Sequence, residues 1–240
     1  MSIDFLMHPI ALRRELHESF RRFFDQYMPA NAIVYDVGCG QKPFASFLEG
    51  KVTKHIGVDL IDGFYQSSQV DLIGTAYDVP APDGAADAVI LSQVIEHLES
   101  PLLAMQEVYR LLKPRGVVFL SFPFLYPQHA PPHDYLRFTE FYLVNKIAGD
   151  GFEVVDSAKF GGYWYLMGMY SAMYLQEVYR GVLKISHLLK FISAAIGWTC
   201  LALHKTEGAI LCASGKDVAR VRAKWTANHL VILRKIKRKE

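Results

Sequence analysis

A chain of 240 residues, 51% apolar and 21% charged, is long enough to bury a large core and too apolar to stay disordered. Its net charge of +2 gives no electrostatic ground for a nucleic-acid partner. The widely spaced Cys39, Cys200 and Cys212 fit neither a disulfide framework nor a zinc site, and no basic stretch followed by an apolar one opens the chain, so a reducing cytoplasm is expected.

Residues 8–28 place Leu12, Leu16, Phe20, Phe23, Phe24 and Tyr27 at helical spacing with Arg13, Arg14, Glu18, Arg21 and Arg22 between them, which predicts an amphipathic helix ended by Pro29. Ala32 to Val37 reads as a buried strand running into the turn Gly38-Cys39-Gly40, with a helix opened by Pro43. Ile56 to Leu60 predicts a second strand and Ala88 to Ser92 a third, followed by a short helical stretch to Ser100-Pro101. A longer helix is predicted over about 102–112, stopping at Pro114, and another strand over Gly116 to Ser121. Strands alternating with helices predict a doubly wound, mostly parallel α/β sheet, whose ligands sit at the carboxyl ends of the strands. Asp36 to Gly40, Asp59, Ser92 to His97 and the segment from Pro123 fall at those ends.

Asp36-Val37-Gly38-Cys39-Gly40 has the chemistry of a ligand loop. Glycine lets the backbone turn sharply and approach a ligand without a Cβ, and a following helix would offer free N–H groups and a positive dipole end. Asp59, at the end of the next strand, suits ribose hydroxyls. A nicotinamide dinucleotide is the rival ligand, but its fingerprint asks for a third glycine near Pro43 and has no use for Asp36. An acid there suits the α-amino group of a methionine moiety better than a pyrophosphate.

Val34 to Gly40 resembles the first motif of the class I S-adenosylmethionine-dependent methyltransferases, and Gly57-Val58-Asp59 their second. Ala76 to Pro80 and Asp83 to Val89 are similar to the adenine loop and fourth strand, and Ser92 to Leu98 and Leu111 to Gly116 to the segments that follow. The resemblance spans about residues 30–157. It implies a seven-stranded Rossmann-like fold with S-adenosylmethionine as cofactor. By the same resemblance Asp36, Gly38 and Gly40 line the methionine end, Asp59 the ribose, Thr75 and Ala76 the adenine, and Gln93 the methyl group. The chain departs from the family in Gln41-Lys42-Pro43, where many members have a third glycine, and at Thr75, where many have an acid; Asp78 or backbone is the alternative adenine contact.

The prolines of Ser121 to Thr139 predict a stiff loop at the ligand edge. His129 and His133 are the candidate bases, Asp134 the acceptor for a ring nitrogen, and Tyr135 and Arg137 the candidate substrate contacts. The competing reading pairs Asp134 with Arg137 and starts a helix at Thr139-Glu140. No metal is expected, because the prolines prevent the helical alignment that a His-x-x-x-His-Asp set needs. His97 is expected to pack under the cofactor rather than act on substrate. Loops of this form recur in a branch of the family associated with surface-glycan or lipid-carrier chemistry, which implies substrate contact.

Gly151 to Asp156 predicts a strand and His229 to Leu233 the last one. Between them, 160–176 and Phe191 to Leu203 carry no charge, yet both are too short to span a bilayer. Three readings stand for these segments: helices covering the sheet, a surface lying in a membrane interface with Trp164 and Trp198, or a homodimer contact. From Lys216 onward basic residues far outnumber Asp217 and Glu240, which serves solubility or meets anionic lipid or an acidic partner. The expected organisation is one methyltransferase domain: a helical cap (1–30), a cofactor-binding core (31–157), an apolar helical insertion (158–225), and a last strand with basic tail (226–240). The expected function is methyl transfer to a small-molecule or lipid-linked acceptor, such as a glycan, at oxygen, in the cytoplasm and with membrane association as a further reading. The alternatives are a non-catalytic cofactor-binding module acting through a partner, and an NAD-dependent oxidoreductase.

Overall fold

A computed structural model describes residues 7–60, 69–149, 151–181 and 186–237. In chain order these form α1 (Met7–Tyr27), β1 (Ile33–Val37), α2 (Ala45–Leu48), β2 (Lys54–Asp59), β3 (Leu72–Ile73) and β4 (Ala86–Ser92). A 3-10 turn (Ile95–His97), α3 (Pro101–Leu111), β5 (Leu112–Pro123), and α4 (Glu140–Tyr142) running into a π turn (Leu143–Ile147) follow. The chain continues through β6 (Phe152–Gly161), α5 (Tyr163–Gly181), α6 (Ser186–Ala213), α7 (Val218–Arg222) and β7 (Thr226–Lys235).

The strands make one seven-stranded sheet in the order β3-β2-β1-β4-β5-β7-β6. β3 to β5 in that order pair in parallel, with Asp36 opposite Gly57 on one side and Ile90 on the other. β6 and β7 run antiparallel, since Ile236 N donates to Gly151 O at one end and Gly162 N to Trp225 O at the other. The order reverses between β1 and β4, which is the switch point where open α/β sheets hold ligands. The expected fold class is therefore the observed one.

The chain divides into two compact units. One holds His17–Phe124, Gln128–Ala158 and the chain from His229. Its β1 and β4 are near-continuous apolar runs because both sheet faces are covered: Val34, Val37, Ala88, Val89, Ile90 and Leu91 are all buried. From α1, Phe20, Phe23 and Phe24 are buried too; Phe20 lies 4.2 Å from Phe44 and Phe24 edge-on 4.7 Å from Phe119. Burial of each ring stabilises by about 2 kcal/mol.

The second unit holds the start of α1, Leu125–Pro127 and Lys159–Asn228. Here α5 packs on α6, burying Tyr165, Leu166, Met169, Ala172 and Cys200. Arg222 of α7 lies against Gly208 of α6, where any Cβ would meet Nη2 at 2.7 Å, and donates to His204 O. Another face of α6 leaves Phe191, Trp198 and Ile210 at least 60% exposed. Among the described residues no helix is long and apolar enough to cross a membrane.

Four local expectations are corrected. The helix after the glycine turn is a single turn, because Phe44 and Leu48 are drawn into the core, Glu49 is extended and Gly50 takes φ +73°. A single turn offers a ligand no helix dipole to speak of. The helix predicted over about 102–112 ends at Leu111, but β5 starts at once, at Leu112 rather than at Gly116. Its partner advances two residues, Ala86 to Ala88, while β5 advances from Leu112 to Val117, so Lys113–Gly116 bulge out with Arg115 at φ +66°. The short β3 was not expected, since two residues carry no periodicity. β6 and β7 extend beyond the predicted bounds.

Candidate functional site

The glycine turn is fixed by its own backbone. Gly38 N and Cys39 N both donate to Val58 O, at 2.8 and 3.2 Å, holding β1's end to β2. Gly38 takes φ +72°, and a Cβ on it would lie 2.4 Å from Val94 Cγ2, so only glycine lets the turn and the segment after β4 close together. Gly40, at φ +49°, has no atom of the described residues within 4 Å of where its Cβ would be, so a ligand can approach its backbone closely. Asp59 ends β2 beside it, its Oδ2 accepting from Gly40 N and its Oδ1 from Leu60 N, both at 2.8 Å. A carboxylate has lone pairs beyond these two bonds for ribose hydroxyls.

Asp36 is 2% exposed, and its Oδ2 meets His55 Nε2 at 3.0 Å. Burial raises its pKa and His55 opposes the rise. The aspartate expected at the methionine end is thus held from β2 by a histidine the sequence reading did not single out. The missing third glycine has a structural counterpart. Lys42, at φ +48°, sends Nζ to His55 O (3.1 Å) and to Asp71 (2.5 Å), and Asp71 also accepts from Gly57 N at 2.6 Å. Burial works against the Asp71 carboxylate, but these bonds outweigh it and its pKa sits below the ordinary range. Gly57 has no side chain because a Cβ would meet Lys42 Cε at 2.5 Å and Cys39 Sγ at 2.7 Å.

Thr75, Ala76 and Asp78 form a tight loop. Thr75 Oγ1 accepts from Tyr77 N and Asp78 N at 3.1 and 3.0 Å, Ala76 is buried, and Asp78 is exposed. Gln93 directly follows β4 in the left-handed region, φ +57°, with N donating to Ser121 O at 2.9 Å and Nε2 to Ser121 Oγ at 3.0 Å. A non-glycine residue held there is strained backbone at a ligand edge.

The histidine-rich loop has no regular structure, as expected, and is fastened to the turn after β4. Tyr135 N and Leu136 N donate to Glu96 O at 3.0 and 3.1 Å. His97 Nδ1 donates to His133 O, which leaves His97 Nε2 as an acceptor. Asp134, with its side chain 3% exposed, receives Arg137 Nη1 and Nη2 at 2.6 and 2.8 Å and His129 N at 2.8 Å. Arg137 beside it holds its pKa down to about 2. Arg137 also donates to Leu136 O, and its Nη2 lies 3.2 Å from His129 Nδ1. The pairing of Asp134 with Arg137 is therefore present, as is the Thr139 cap, whose Oγ1 accepts from Tyr142 N at 3.3 Å.

His133 and Tyr135 are exposed at the loop's surface. Tyr135 Oη donates to Glu99 Oε1 at 3.2 Å and lies 3.2 Å from His133 Nδ1, from which it can accept. That tautomer carries its lone pair on Nε2.

One residue of this region, Glu96, escaped the sequence reading, and His97 was read only as packing under the cofactor. Glu96 is fully buried and, among the described residues, neither carboxylate oxygen has a hydrogen-bond partner; burial pushes its pKa up to about 8. His97 Nε2 lies 3.8 Å from Glu96 Oε1, and the His97 ring stands edge-on to His129 at 4.8 Å. The signal available was Glu96-His97 at the end of β4, beside the switch point.

Residues 35–120 match the family described as Methyltransferase domain. The ubiquinone biosynthesis O-methyltransferase of Xanthomonas oryzae is 32% identical over 103 residues, 38% of this chain and 43% of that protein. The chain thus aligns with less than half the length of that relative. The structure of a SAM-dependent methyltransferase from Archaeoglobus fulgidus superposes with a TM-score of 0.54 at 16% identity, covering 91% of this chain and 94% of that one. The [4+2]-cyclase SpnF superposes at 0.55 and 18% identity, covering 91% and 82%. At such identities the structures speak for the fold alone.

Proposed function

We propose that this chain, whose residues 35–120 match the methyltransferase-domain family, is a class I S-adenosylmethionine-dependent methyltransferase that methylates a small-molecule or lipid-linked acceptor at oxygen. The single observation that carries the reading is the turn at Gly38–Gly40, open on the Gly40 side and flanked by Asp59 and the strained Gln93. These residues fit the cofactor: glycine backbone for close approach, a carboxylate for a ribose, and a strand end for the reacting group. When bound, S-adenosylmethionine supplies a methyl group already activated on a sulfonium, so the protein's task is in-line positioning, exclusion of water and removal of one proton.

His133 takes that proton. Its Nδ1–H is held by Tyr135 Oη, itself anchored on Glu99, and Nε2 accepts the acceptor's hydroxyl proton as the new carbon–oxygen bond forms. His129 is the second candidate base, but a guanidinium only donates, so Arg137 beside Nδ1 favours the tautomer with its proton on Nε2. Asp134 and Arg137 hold the loop in place, and Tyr135 is the substrate-facing residue. Thr75, Ala76 and Asp78 serve the adenine through backbone and the exposed carboxylate. The organisation proposed is a core over 31–157 with an apolar insertion over 158–225 and a basic tail.

An oxygen acceptor accords with the O-methyltransferase activity of the Xanthomonas relative, and a lipid-linked one with the exposed Phe191, Trp198 and Ile210 of α6. In the cytoplasmic setting proposed, the same face of α6 would serve to touch a membrane surface or to pair with a second copy. The test is incubation of the purified chain with methyl-labelled cofactor and extract separated into lipid and aqueous fractions. Label in the lipid fraction, lost in His133→Ala, supports the reading. Label confined to the aqueous fraction removes the lipid-linked acceptor, and no transfer at all favours a non-catalytic cofactor-binding module.

A further inference from the structure

We propose that Glu96, His97 and His129 form a binding site for one divalent first-row transition cation of the zinc or manganese class. Their ligand atoms, one carboxylate oxygen and one ring nitrogen from each histidine, all lie within 4.8 Å of one another. Tetrahedral ligands at about 2.0–2.1 Å from an ion stand about 3.3 Å apart, so closing on the ion asks for roughly 1 Å of side-chain movement. The pair His97 Nε2 and Glu96 Oε1, at 3.8 Å, is most of the way there.

Three further observations support an ion rather than chance proximity. The first is Glu96 itself: fully buried, with neither oxygen hydrogen-bonded. A buried carboxylate without a hydrogen bond is costly, and a cation bound directly to it would offset that cost. The second is the tautomer of His97, whose Nδ1–H is committed to His133 O and whose Nε2 lone pair is turned to the cluster. An outer hydrogen bond to a backbone carbonyl is how metal-binding histidines are oriented. The third is Asp134, whose Oδ2 lies 3.6 Å from His129 Nδ1. When His129 binds through Nε2, its proton moves to Nδ1, and the ring turns that N–H from Arg137 towards Asp134, giving a carboxylate–histidine–metal arrangement.

Two imidazoles and one carboxylate select a first-row transition ion over magnesium or calcium, which prefer oxygen-only sets. Three protein ligands leave coordination positions open, and both histidines are partly exposed. On the reading of the site as an O-methyltransferase, an ion here lies in the loop cluster that carries His133 and would lower the pKa of an acceptor hydroxyl. The ion site is tested without cofactor or acceptor, so its failure leaves that reading standing.

The chain is stripped with chelator, dialysed, and titrated with Zn2+ by calorimetry and with Co2+ by visible absorption, with magnesium present as competitor. One equivalent of saturable binding is expected, with a Co2+ ligand-field band. Glu96→Gln and His97→Ala should weaken binding at least tenfold, and Asp134→Asn roughly 10-fold to 100-fold through the outer shell. Since Glu96 is buried, His129→Ala on the loop provides a variant that leaves the core untouched, and circular dichroism checks each fold. Absence of saturable binding overturns the proposal. So does binding that His97→Ala and His129→Ala both leave unchanged, which puts the ion elsewhere.

Discussion

Alanine at Gly38 and at Gly40 should fail in different ways, and the difference follows from what surrounds each position. Gly38 at φ +72° costs an L-residue about 1–2 kcal/mol in backbone strain. Its Cβ would also lie 2.4 Å from Val94 Cγ2, so Val94 must retreat by more than 1 Å to reach ordinary contact of about 3.5–4.0 Å. Overpacking of that size adds about 1–3 kcal/mol, for a total of about 2–5 kcal/mol lost in Gly38→Ala. Val94→Ala alone should cost about 1–2 kcal/mol for its lost methyl groups. In the double variant the clash disappears, so the two changes should fall short of additivity by about 1–3 kcal/mol. Gly40 also has positive φ, but among the described residues nothing lies within 4 Å of its Cβ position. Gly40→Ala should therefore cost only about 1 kcal/mol in stability while weakening S-adenosylmethionine binding more than tenfold. Urea unfolding followed by circular dichroism gives the stabilities, and titration calorimetry the affinities. Strict additivity of Gly38→Ala and Val94→Ala, or wild-type affinity in Gly40→Ala, would refute the reasoning.

Removal of the His133 ring should lower kcat by about 10²–10⁴ and leave cofactor affinity unchanged; a rate within twofold of the parent chain removes it as the base. Asp134→Asn loses the charge that holds Arg137 in a largely buried pair, and should cost about 3 kcal/mol and open the loop to protease; an unchanged cleavage pattern argues against the pair as fastener. Glu107 accepts from Arg110 and from Val79 N, and the Arg110 bonds hold its pKa below the usual range. Its folded value is depressed, so its stabilisation is present above the unfolded carboxylate pKa of about 4.3 and is lost as pH falls through the folded value. Unfolding midpoints should fall with acid, and Glu107→Gln should flatten that slope; a parallel slope in the variant contradicts the assignment.

The fold was legible in the sequence wherever the signal is local. Buried strands at Ile33–Val37 and Ala86–Ser92 appear as apolar runs, and the phenylalanines of α1 repeat with helical spacing. The single-turn α2 was misread because Pro43 looks like a helix start, while the burial of Phe44 and Leu48 that shortens it depends on α1. Asp134 and Arg137, three residues apart, were legible as a pair. Asp36 with His55 was not, because they meet only through the β1–β2 register, nor was Lys42 with Asp71, 29 residues away. Glu96 looked like one more acid on a helical stretch; its isolation emerges only when Tyr135 and Leu136 fold back onto its carbonyl. The uncharged runs read as helices, but composition alone does not say that α6 leaves Phe191, Trp198 and Ile210 outward.

Calorimetric titration of the purified chain with S-adenosylmethionine, and separately with NAD, bears most directly on the glycine-turn site. One saturable equivalent for S-adenosylmethionine, with none for NAD, is the result expected of a turn open at Gly40 and flanked by Asp59. No binding of S-adenosylmethionine at millimolar concentration, together with uptake of NAD, would contradict the account.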